Sequence, residues 1–184
     1  MNFTVTKSHT VFRGKVFDVK VDEIIYNGTG NKAERQVAVH PGGAVVAPVT
    51  NDGKIILITQ YRYPHNETIL ELPAGKLEPG EDPQECASRE LTEETGYTSK
   101  KITKLGKIYT TPGFCDEVLH IYLAENLEPG DHAREEGEEG IEVFELTLDE
   151  IDKKICNGEI VDAKTICGIT MLRLNAERRV QNAE

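Results

Sequence analysis

One short segment carries both the start and the stop signals of a helix, and it fixes the clearest helical element of the chain. Asp82 is a good N-cap, Pro83 suits the first helical turn, and Glu85 lies three residues past the cap. Gly96 is the residue type that most readily adopts the left-handed conformation that ends a helix. We therefore predict a helix from Asp82 to about Thr95.

The last turns of this helix carry three glutamates, Glu90, Glu93 and Glu94. Spacings of three and four residues place their side chains on one side of a helix, where like charges repel one another. Arg89 can offset part of this repulsion through Glu93, but it cannot neutralise three carboxylates. Such a cluster is most often a solvated face. The other interpretation is a site for a hard divalent cation, Mg²⁺ first and Mn²⁺ second, because these ions prefer carboxylate and carbonyl oxygens.

The rest of the chain is rich in short strands. Alternation from Phe3 to Tyr26 has the period of half-exposed strands, and Asn27 to Asn31 breaks it with turn-forming residues. Ile55 to Ile58 suits a strand buried on both faces, and Asn51 to Gly53 carries a hairpin signal. Further strands are predicted at 35–40, 44–49, 54–61, 102–109, 118–124 and 141–146, and further helices at 148–156 and 162–179.

Many strands interleaved with few helices predict an α+β or sandwich-like domain. A chain of 184 residues with 38% hydrophobic residues can enclose a proper core, so we expect one main domain with at most a small appendage. The N-terminal β-strands, residues 1–40, are expected to form that separate unit, and residues 41–184 the main domain.

Composition excludes several classes of function. The 21 Lys and Arg residues face 32 Asp and Glu residues, and the net charge of -11 would repel a phosphate backbone, so no nucleic-acid partner is expected. No apolar run approaches the about 20 residues needed to cross a bilayer, and the first residues lack the pattern of an export signal. The four cysteines show neither metal-ligand nor disulfide spacing. We expect a soluble, cytoplasmic protein with reduced thiols.

Residues 75–97 match a longer pattern that includes the acidic cluster. The segment reads Gly75, five residues, Glu81, seven residues, and then Arg89-Glu90-Leu91-Thr92-Glu93-Glu94-Thr95-Gly96-Tyr97. It resembles the Nudix box, G-x5-E-x7-R-E-U-x-E-E-x-G-U, where U is a bulky apolar residue, and it meets all the fixed positions. Tyr97 replaces the commoner aliphatic residue, a departure that touches packing more than catalysis.

The resemblance implies the Nudix fold, in which helices sandwich a mixed sheet and a catalytic loop-helix-loop docks on it. It also implies metal-dependent hydrolysis of a nucleoside diphosphate linked to another group. It makes Glu90 and Glu94 metal ligands, Glu93 a ligand or a metal-linked base, and Glu81 a supporting carboxylate, with Arg89 orienting the set. An acidic site can hold an anionic diphosphate only through metal ions.

The flanking segments resemble the ADP-ribose pyrophosphatase branch of that family. Upstream are Gln60-Tyr61-Arg62 and Glu71-Leu72-Pro73-Ala74-Gly75, and downstream is Tyr109-Thr110-Thr111-Pro112-Gly113-Phe114-Cys115-Asp116-Glu117. Pro112 marks the branch, and the carbonyl of Ala74 is implied to be a further metal ligand. The resemblance implies Mg²⁺-dependent cleavage of ADP-ribose to AMP and ribose 5-phosphate. It also implies a homodimer whose N-terminal strands cross to the partner and help to shape the substrate pocket.

Arginine suits a phosphate contact because its guanidinium is a planar fork of donors, which makes Arg62 the first candidate and Arg35 the second. For either, the alternative is an exposed arginine paired with a local acid. Branch members use a glutamate on a mobile loop after the box to activate water, and Glu138 and Glu139 are the candidates here. Stacking on adenine needs an aromatic face, for which the candidates are Tyr26, Phe12, Phe17 and Phe114.

Two other functions stay open at this point. The same chemistry could act on another nucleoside diphosphate sugar or on a dinucleotide, since the residues specify phosphates better than the attached group. A ligand-sensing Nudix domain would bind ADP-ribose without cleaving it. Such proteins usually carry a DNA-binding appendage, and the intact box and the strong negative charge argue against that role.

Overall fold

The computed structural model describes residues 2–130 and 140–182. The chain divides into two compact units, one of Met1–Gly42 with Tyr109–Val118, and one of Gly43–Ile108 with Leu119–Glu184. The first unit therefore contains a later segment of the chain in addition to the N-terminal strands.

The first unit is built on an antiparallel sheet of three strands, β1 (Phe3–Arg13), β2 (Asp18–Tyr26) and β3 (Lys32–Val39), in the order β1-β2-β3. The predicted turn after Tyr26 is confirmed, with a hydrogen bond of 3.0 Å from its N–H to the carbonyl of Asn31. The later segment pairs with β3, because Ala38 N–H donates to the Phe114 carbonyl at 2.7 Å. Strand β1 was expected to be half-exposed, but all of its residues are exposed.

The second unit holds two sheets. Its strands are β4 (Gly43–Pro48), β5 (Ile55–Arg62), β6 (Glu67–Glu71), β7 (Ala74–Lys76), β8 (Tyr97–Tyr109), β9 (Val118–Pro129) and β10 (Val143–Leu146). Within the described ranges, a mixed sheet has the order β7-β4-β9-β8, with β4 parallel to β9 and antiparallel to β7. An antiparallel sheet has the order β10-β5-β6.

Alternate residues of β4 point to opposite faces of the mixed sheet, and helices pack against both faces. The helices are α1 (Pro83–Thr95), α2 (Leu148–Cys156) and α3 (Ala163–Gln181). On one face, Ala44 and Val46 pack with Cys86, Ala87 and Leu91 of α1. The other face carries the larger core, whose buried members include Val45, Ala47, Ile55, Leu57, Leu72, Ile121, Ile151 and Ile169. No helix in the described part of the chain is long and apolar enough to cross a bilayer.

Most predicted elements are confirmed, and the differences have local causes. Residues 51–53 form a turn, and Val49 and Ile55 make an isolated antiparallel bridge, but β4 and β5 then enter different sheets. The expected hairpin is therefore wrong beyond that bridge. Ile55 to Ile58 are 0–1% exposed, as expected of a strand buried on both faces. Strands β6 and β7 were not predicted, because they have only five and three residues.

Candidate active site

The predicted signals at both ends of α1 operate as expected. Asp82 accepts a hydrogen bond of 2.8 Å from the N–H of Gln84 and so caps the first turn. Gly96 ends the helix with a φ of 74°, and its N–H donates to the Thr92 carbonyl at 2.9 Å. The helix that carries the acidic cluster is thus fixed at both ends by its own sequence.

Two of the three clustered glutamates lie on the buried side of α1. Glu90 is 6% exposed and Glu94 is 1% exposed, and they continue the buried stripe of the helix that begins at Cys86 and Ala87. A solvated face is therefore the wrong interpretation for these two residues. Burial of a carboxylate is costly unless it is paired or hydrogen-bonded, so each must have compensating partners.

Arg89 joins three carboxylates at the surface of the helix. Its Nη1 donates to Glu90 at 2.7 Å and to Glu93 at 2.8 Å, and its Nε donates to Glu81 at 2.9 Å. The hydrogen bond from Arg89 is the main reason why the pKa of Glu81 lies below its ordinary value, and the same bond raises the pKa of Arg89. The expected pair of Arg89 with Glu93 is present, together with two further acids.

The strand that precedes the helix meets Glu90 and Glu94 directly. The N–H of Ala74 donates to Glu94 Oε2 at 2.9 Å. A Cβ atom at Gly75 would overlap the carboxylate of Glu90, so only glycine leaves room for that side chain. Strand β7 therefore gathers three of the four predicted metal-binding residues, Ala74, Glu90 and Glu94, in one place.

The donors gathered here have the chemistry of a site for a hard cation. Carboxylate and backbone carbonyl oxygens are what Mg²⁺ and Mn²⁺ prefer. Among the described residues, no three acidic, histidine or cysteine side chains stand at ligand spacing around a common point. The carboxylates of Glu81, Glu90 and Glu93 converge on Arg89 instead, so a bound cation would compete with that arginine for Glu90 and Glu93.

Arg62, the first candidate for a phosphate contact, is paired with a buried acid. Its Nε donates to Glu71 Oε2 at 3.1 Å, and its Nη2 donates to Glu71 Oε1. The Arg62 side chain is 37% exposed, whereas that of Glu71 is fully buried. The pairing with a local acid is thus present, and it uses two of the five N–H donors of the guanidinium.

The other predicted substrate residues belong to the first unit. Arg35 donates to the hydroxyl of Tyr26, and its guanidinium carbon lies 5.8 Å from the centre of the Tyr26 ring, a cation–π distance. Pro112 is exposed in the segment 109–118. The structure brings Arg35 and Tyr26 together, while Glu138 and Glu139 lie outside the described residues.

Sequence reasoning gave no role to Glu71 or to Lys164, although the structure places them in contact with each other at 2.9 Å. The available signal was a single charge within an apolar run, Ile69-Leu70-Glu71-Leu72, since a charged residue there must be buried and paired. No comparable signal marks Lys164, because its partner lies far away in the sequence.

Comparisons with known proteins identify the family of the chain. The NUDIX domain model matches residues 40–166. An ADP-ribose pyrophosphatase of Bacillus subtilis is 45% identical over 97% of this chain and 96% of its own length. A methanol dehydrogenase activator of Bacillus methanolicus is 41% identical over 91% of each chain.

A solved structure supports the fold independently. The crystal structure of an ADP compounds hydrolase superposes with a TM-score of 0.86 and 21% identity, over 97% of this chain and 96% of that one. The predicted α+β fold, with a mixed sheet, packed helices and an N-terminal antiparallel sheet, is confirmed, and so is the predicted similarity to ADP-ribose pyrophosphatases. The intact box at residues 75–97 and the match of the NUDIX domain model over residues 40–166 show that the chain belongs to the Nudix family.

Proposed function

We propose that the protein is a Mg²⁺-dependent Nudix pyrophosphatase that hydrolyses ADP-ribose to AMP and ribose 5-phosphate. The observation that carries this proposal is the burial of Glu90 and Glu94 on α1, with Glu94 bonded to Ala74 and Glu90 against Gly75, within a segment that meets every fixed position of the Nudix box. Similarity to an ADP-ribose pyrophosphatase along nearly the whole chain supports the choice of substrate.

The residues have distinct proposed roles. Glu90, Glu94 and the Ala74 carbonyl would hold the metal, with Glu93 as a further ligand or a metal-linked base. A bound divalent cation supplies polarisation of the phosphoryl oxygens and a more acidic water. Arg89 keeps Glu81, Glu90 and Glu93 oriented through its guanidinium. Because Glu93 has a side-chain exposure of 20%, it is better placed than its neighbours to exchange a proton with water.

Binding of the substrate is assigned to residues outside the helix. Arg62 has three N–H donors beyond the two that Glu71 takes, and these suit a phosphate. Arg35, Tyr26 and Pro112 are further proposed substrate contacts. Glu138 or Glu139 is proposed to complete the site as the residue that activates water.

We also propose a homodimer that forms through the N-terminal strands. Large apolar side chains of the first unit are exposed, among them Phe3 at 48%, Val5 at 48% and Val11 at 55%. All three lie on β1, a strand at the edge of its sheet in the described structure. Exposed apolar edges of this kind mark surfaces that pair with another chain. A cytoplasmic location agrees with the four free cysteines.

The test is hydrolysis of ADP-ribose by the purified protein with and without Mg²⁺, followed by release of AMP. Replacement of Glu93 by Gln should lower kcat by about 10² to 10⁴. The matched control is Glu85→Gln, which removes an exposed carboxylate from the same helix and should leave kcat unchanged. A Glu93→Gln variant as active as the control would refute the proposed role of Glu93.

A substrate panel decides between the proposed activity and the two alternatives. ADP-ribose should give a higher kcat/KM than other nucleoside diphosphate sugars and dinucleotides. A preference for one of these other compounds would keep the chemistry and change the substrate. Tight binding of ADP-ribose by calorimetry, without any release of AMP in Mg²⁺ or Mn²⁺, would refute the proposed enzyme activity and favour a sensor.

Sedimentation velocity tests the proposed dimer, which Val5→Asp should weaken.

A further inference from the structure

Glu71 is a fully buried carboxylate at the end of β6, and two cations share it. Arg62 donates to both of its oxygens, and Lys164 Nζ lies 2.9 Å from Oε2. A carboxylate removed from water in this way needs a partner of opposite charge. One arginine bound through two hydrogen bonds already supplies that partner, and Lys164 adds a second cation to the same carboxylate.

Arg62 bonds to a carboxylate other than the one opposite it in the sheet. The register places Arg62 opposite Glu67, an exposed residue, whereas Glu71 lies opposite Ile58. The Arg62 side chain therefore runs back along the sheet to reach a buried acid. This arrangement holds the guanidinium in one orientation while leaving the side chain 37% exposed, so the remaining donors can reach an anion that arrives from solvent.

Lys164 reaches Glu71 from the first turn of α3. Its Nζ also lies 3.0 Å from Oδ2 of Asp162, the N-cap residue of that helix. Asp162 accepts two more hydrogen bonds from Thr165, at 2.9 Å from the N–H and at 2.6 Å from the hydroxyl. The Lys164 side chain is 11% exposed, and its ammonium group lies between the carboxylates of Glu71 and Asp162. Holding a lysine in this way costs side-chain entropy that a solvated lysine keeps.

The same helical turn also holds the chain segment that leads to the predicted metal site. The hydroxyl of Thr165 accepts a hydrogen bond of 2.7 Å from the N–H of Leu72, and both residues lie in the interior. Leu72 immediately follows Glu71 and comes two residues before Ala74. One turn of α3 therefore contacts both Glu71 and the start of the segment that carries Ala74.

We propose that Lys164 is a positioning residue for Arg62, an inference that rests on the proposed function in which Arg62 binds a phosphate of the substrate. Glu71 and Arg62 alone form a neutral pair, in which the carboxylate cancels much of the charge that Arg62 offers to an anion. Lys164 gives Glu71 a second cation and so leaves more of the Arg62 charge for the substrate, while Asp162 makes the four groups formally neutral. The charge of Asp162 is offset in part by the positive end of the α3 dipole. Arg62 is thus fixed in place and still attracts a diphosphate.

The experiment compares Lys164→Met and Lys164→Gln with the control Lys154→Met. Lys154 forms an ion pair of 2.7 Å with Glu159 at the surface of the same unit. Loss of the Lys164 charge should raise KM for ADP-ribose about tenfold and change kcat much less, because the charge acts on substrate binding. The effect on KM should shrink at high salt. Lys164→Arg, which keeps the charge, should restore most of the binding.

A second readout does not depend on enzyme activity. The Nε–Hε resonance of Arg62 in a ¹⁵N spectrum, assigned by its loss in Arg62→Lys, reports the hydrogen bond to Glu71. It should shift or broaden in Lys164→Met and in Lys164→Gln, and it should stay unchanged in Lys154→Met. If the wild-type protein fails to cleave ADP-ribose, the proposed function is wrong, but this spectrum still tests the coupling of Lys164 to Arg62.

Three results would overturn the proposal. The first is an Arg62 resonance that is the same in wild type and in both charge-removing variants. The second is a lower kcat with unchanged KM, which would place Lys164 in the chemical step. The third is an equal rise in KM for Lys164→Met and for the control, since that would be an effect of overall charge. Lys164→Gln keeps a hydrogen-bond donor and so provides a folded variant if Lys164→Met is unstable.

Discussion

Replacing Gly75 by alanine tests whether the carboxylate of Glu90 must occupy its observed position. Ordinary contacts of a Cβ atom begin near 3.4 Å, and Glu90 Oε2 lies 2.6 Å from the position of the added carbon, so that oxygen must retreat by the difference, about 0.8 Å. The other two atoms of the carboxylate group are nearer and must move further. A misplacement of about 1 Å at a catalytic group reduces the rate about 10²-fold. We therefore expect Gly75→Ala to lower kcat by about 10².

The assay is steady-state hydrolysis of ADP-ribose over a range of Mg²⁺ concentrations, with thermal unfolding of each variant in parallel. Gly28→Ala is the matched control, because a Cβ atom there meets nothing within 4 Å. Overpacking at Gly75 should lower the free energy of unfolding by about 1–3 kcal/mol. That loss leaves most of the protein folded at room temperature, so the activity loss is separable from unfolding.

A double variant shows whether Gly75 acts through Glu90. If the added methyl group harms activity only by displacing that carboxylate, Gly75→Ala should add no further loss in a Glu90→Ala background. Full additivity of the two losses would refute the reasoning. So would a Gly75→Ala enzyme that keeps activity within a few-fold of wild type.

Three further predictions concern stability and reactivity. Burial raises the pKa of the Cys86 thiol to about 12, so iodoacetamide at about pH 8 should label exposed Cys156 in the native protein and Cys86 only after denaturation, as mass spectrometry can show. The pKa of Glu81 is lowered, mainly by its hydrogen bond to Arg89. Its stabilising effect is therefore complete above the unfolded-state value of 4.5 and is lost as the pH falls through the lower folded-state pKa. In urea titrations, the free energy of unfolding of Glu81→Gln should fall less steeply at acidic pH than that of wild type. Leu91 is fully buried between α1 and the mixed sheet, so Leu91→Ala should lower the free energy of unfolding by about 2–5 kcal/mol in urea titrations.

The sequence allowed prediction of the elements that carry their own local signals. Helix α1 follows from Asp82 and Gly96, and the helix predicted at 148–156 is observed as α2, where Thr147 and Glu150 form a capping box. Strand β7 has three residues, too few for a periodic pattern. The departure of β4 and β5 into separate sheets also has no local signal, because it depends on which faces each strand buries after the turn.

The site could be predicted only up to the identity of its acids. Spacing placed Glu90, Glu93 and Glu94 on one side of a helix, but it could not show that Glu93 is the most exposed of the three. That difference arises from how α1 rests on β4 and β7, a tertiary effect. The contact between Glu71 and Lys164 joins residues from distant parts of the chain, and no short pattern records such a pair.

The bond between the Leu72 amide and the Thr165 hydroxyl spans 93 positions of the chain. During synthesis, a ribosome that has released the nascent chain through Tyr97 has released the entire box, but Thr165, which binds the amide of Leu72 just before the box, has not yet been synthesised. Local folding of the helix can begin at once, whereas closure of this long loop must wait until Thr165 has been synthesised. We therefore expect the segment that carries Ala74 to become ordered on the ribosome later than α1.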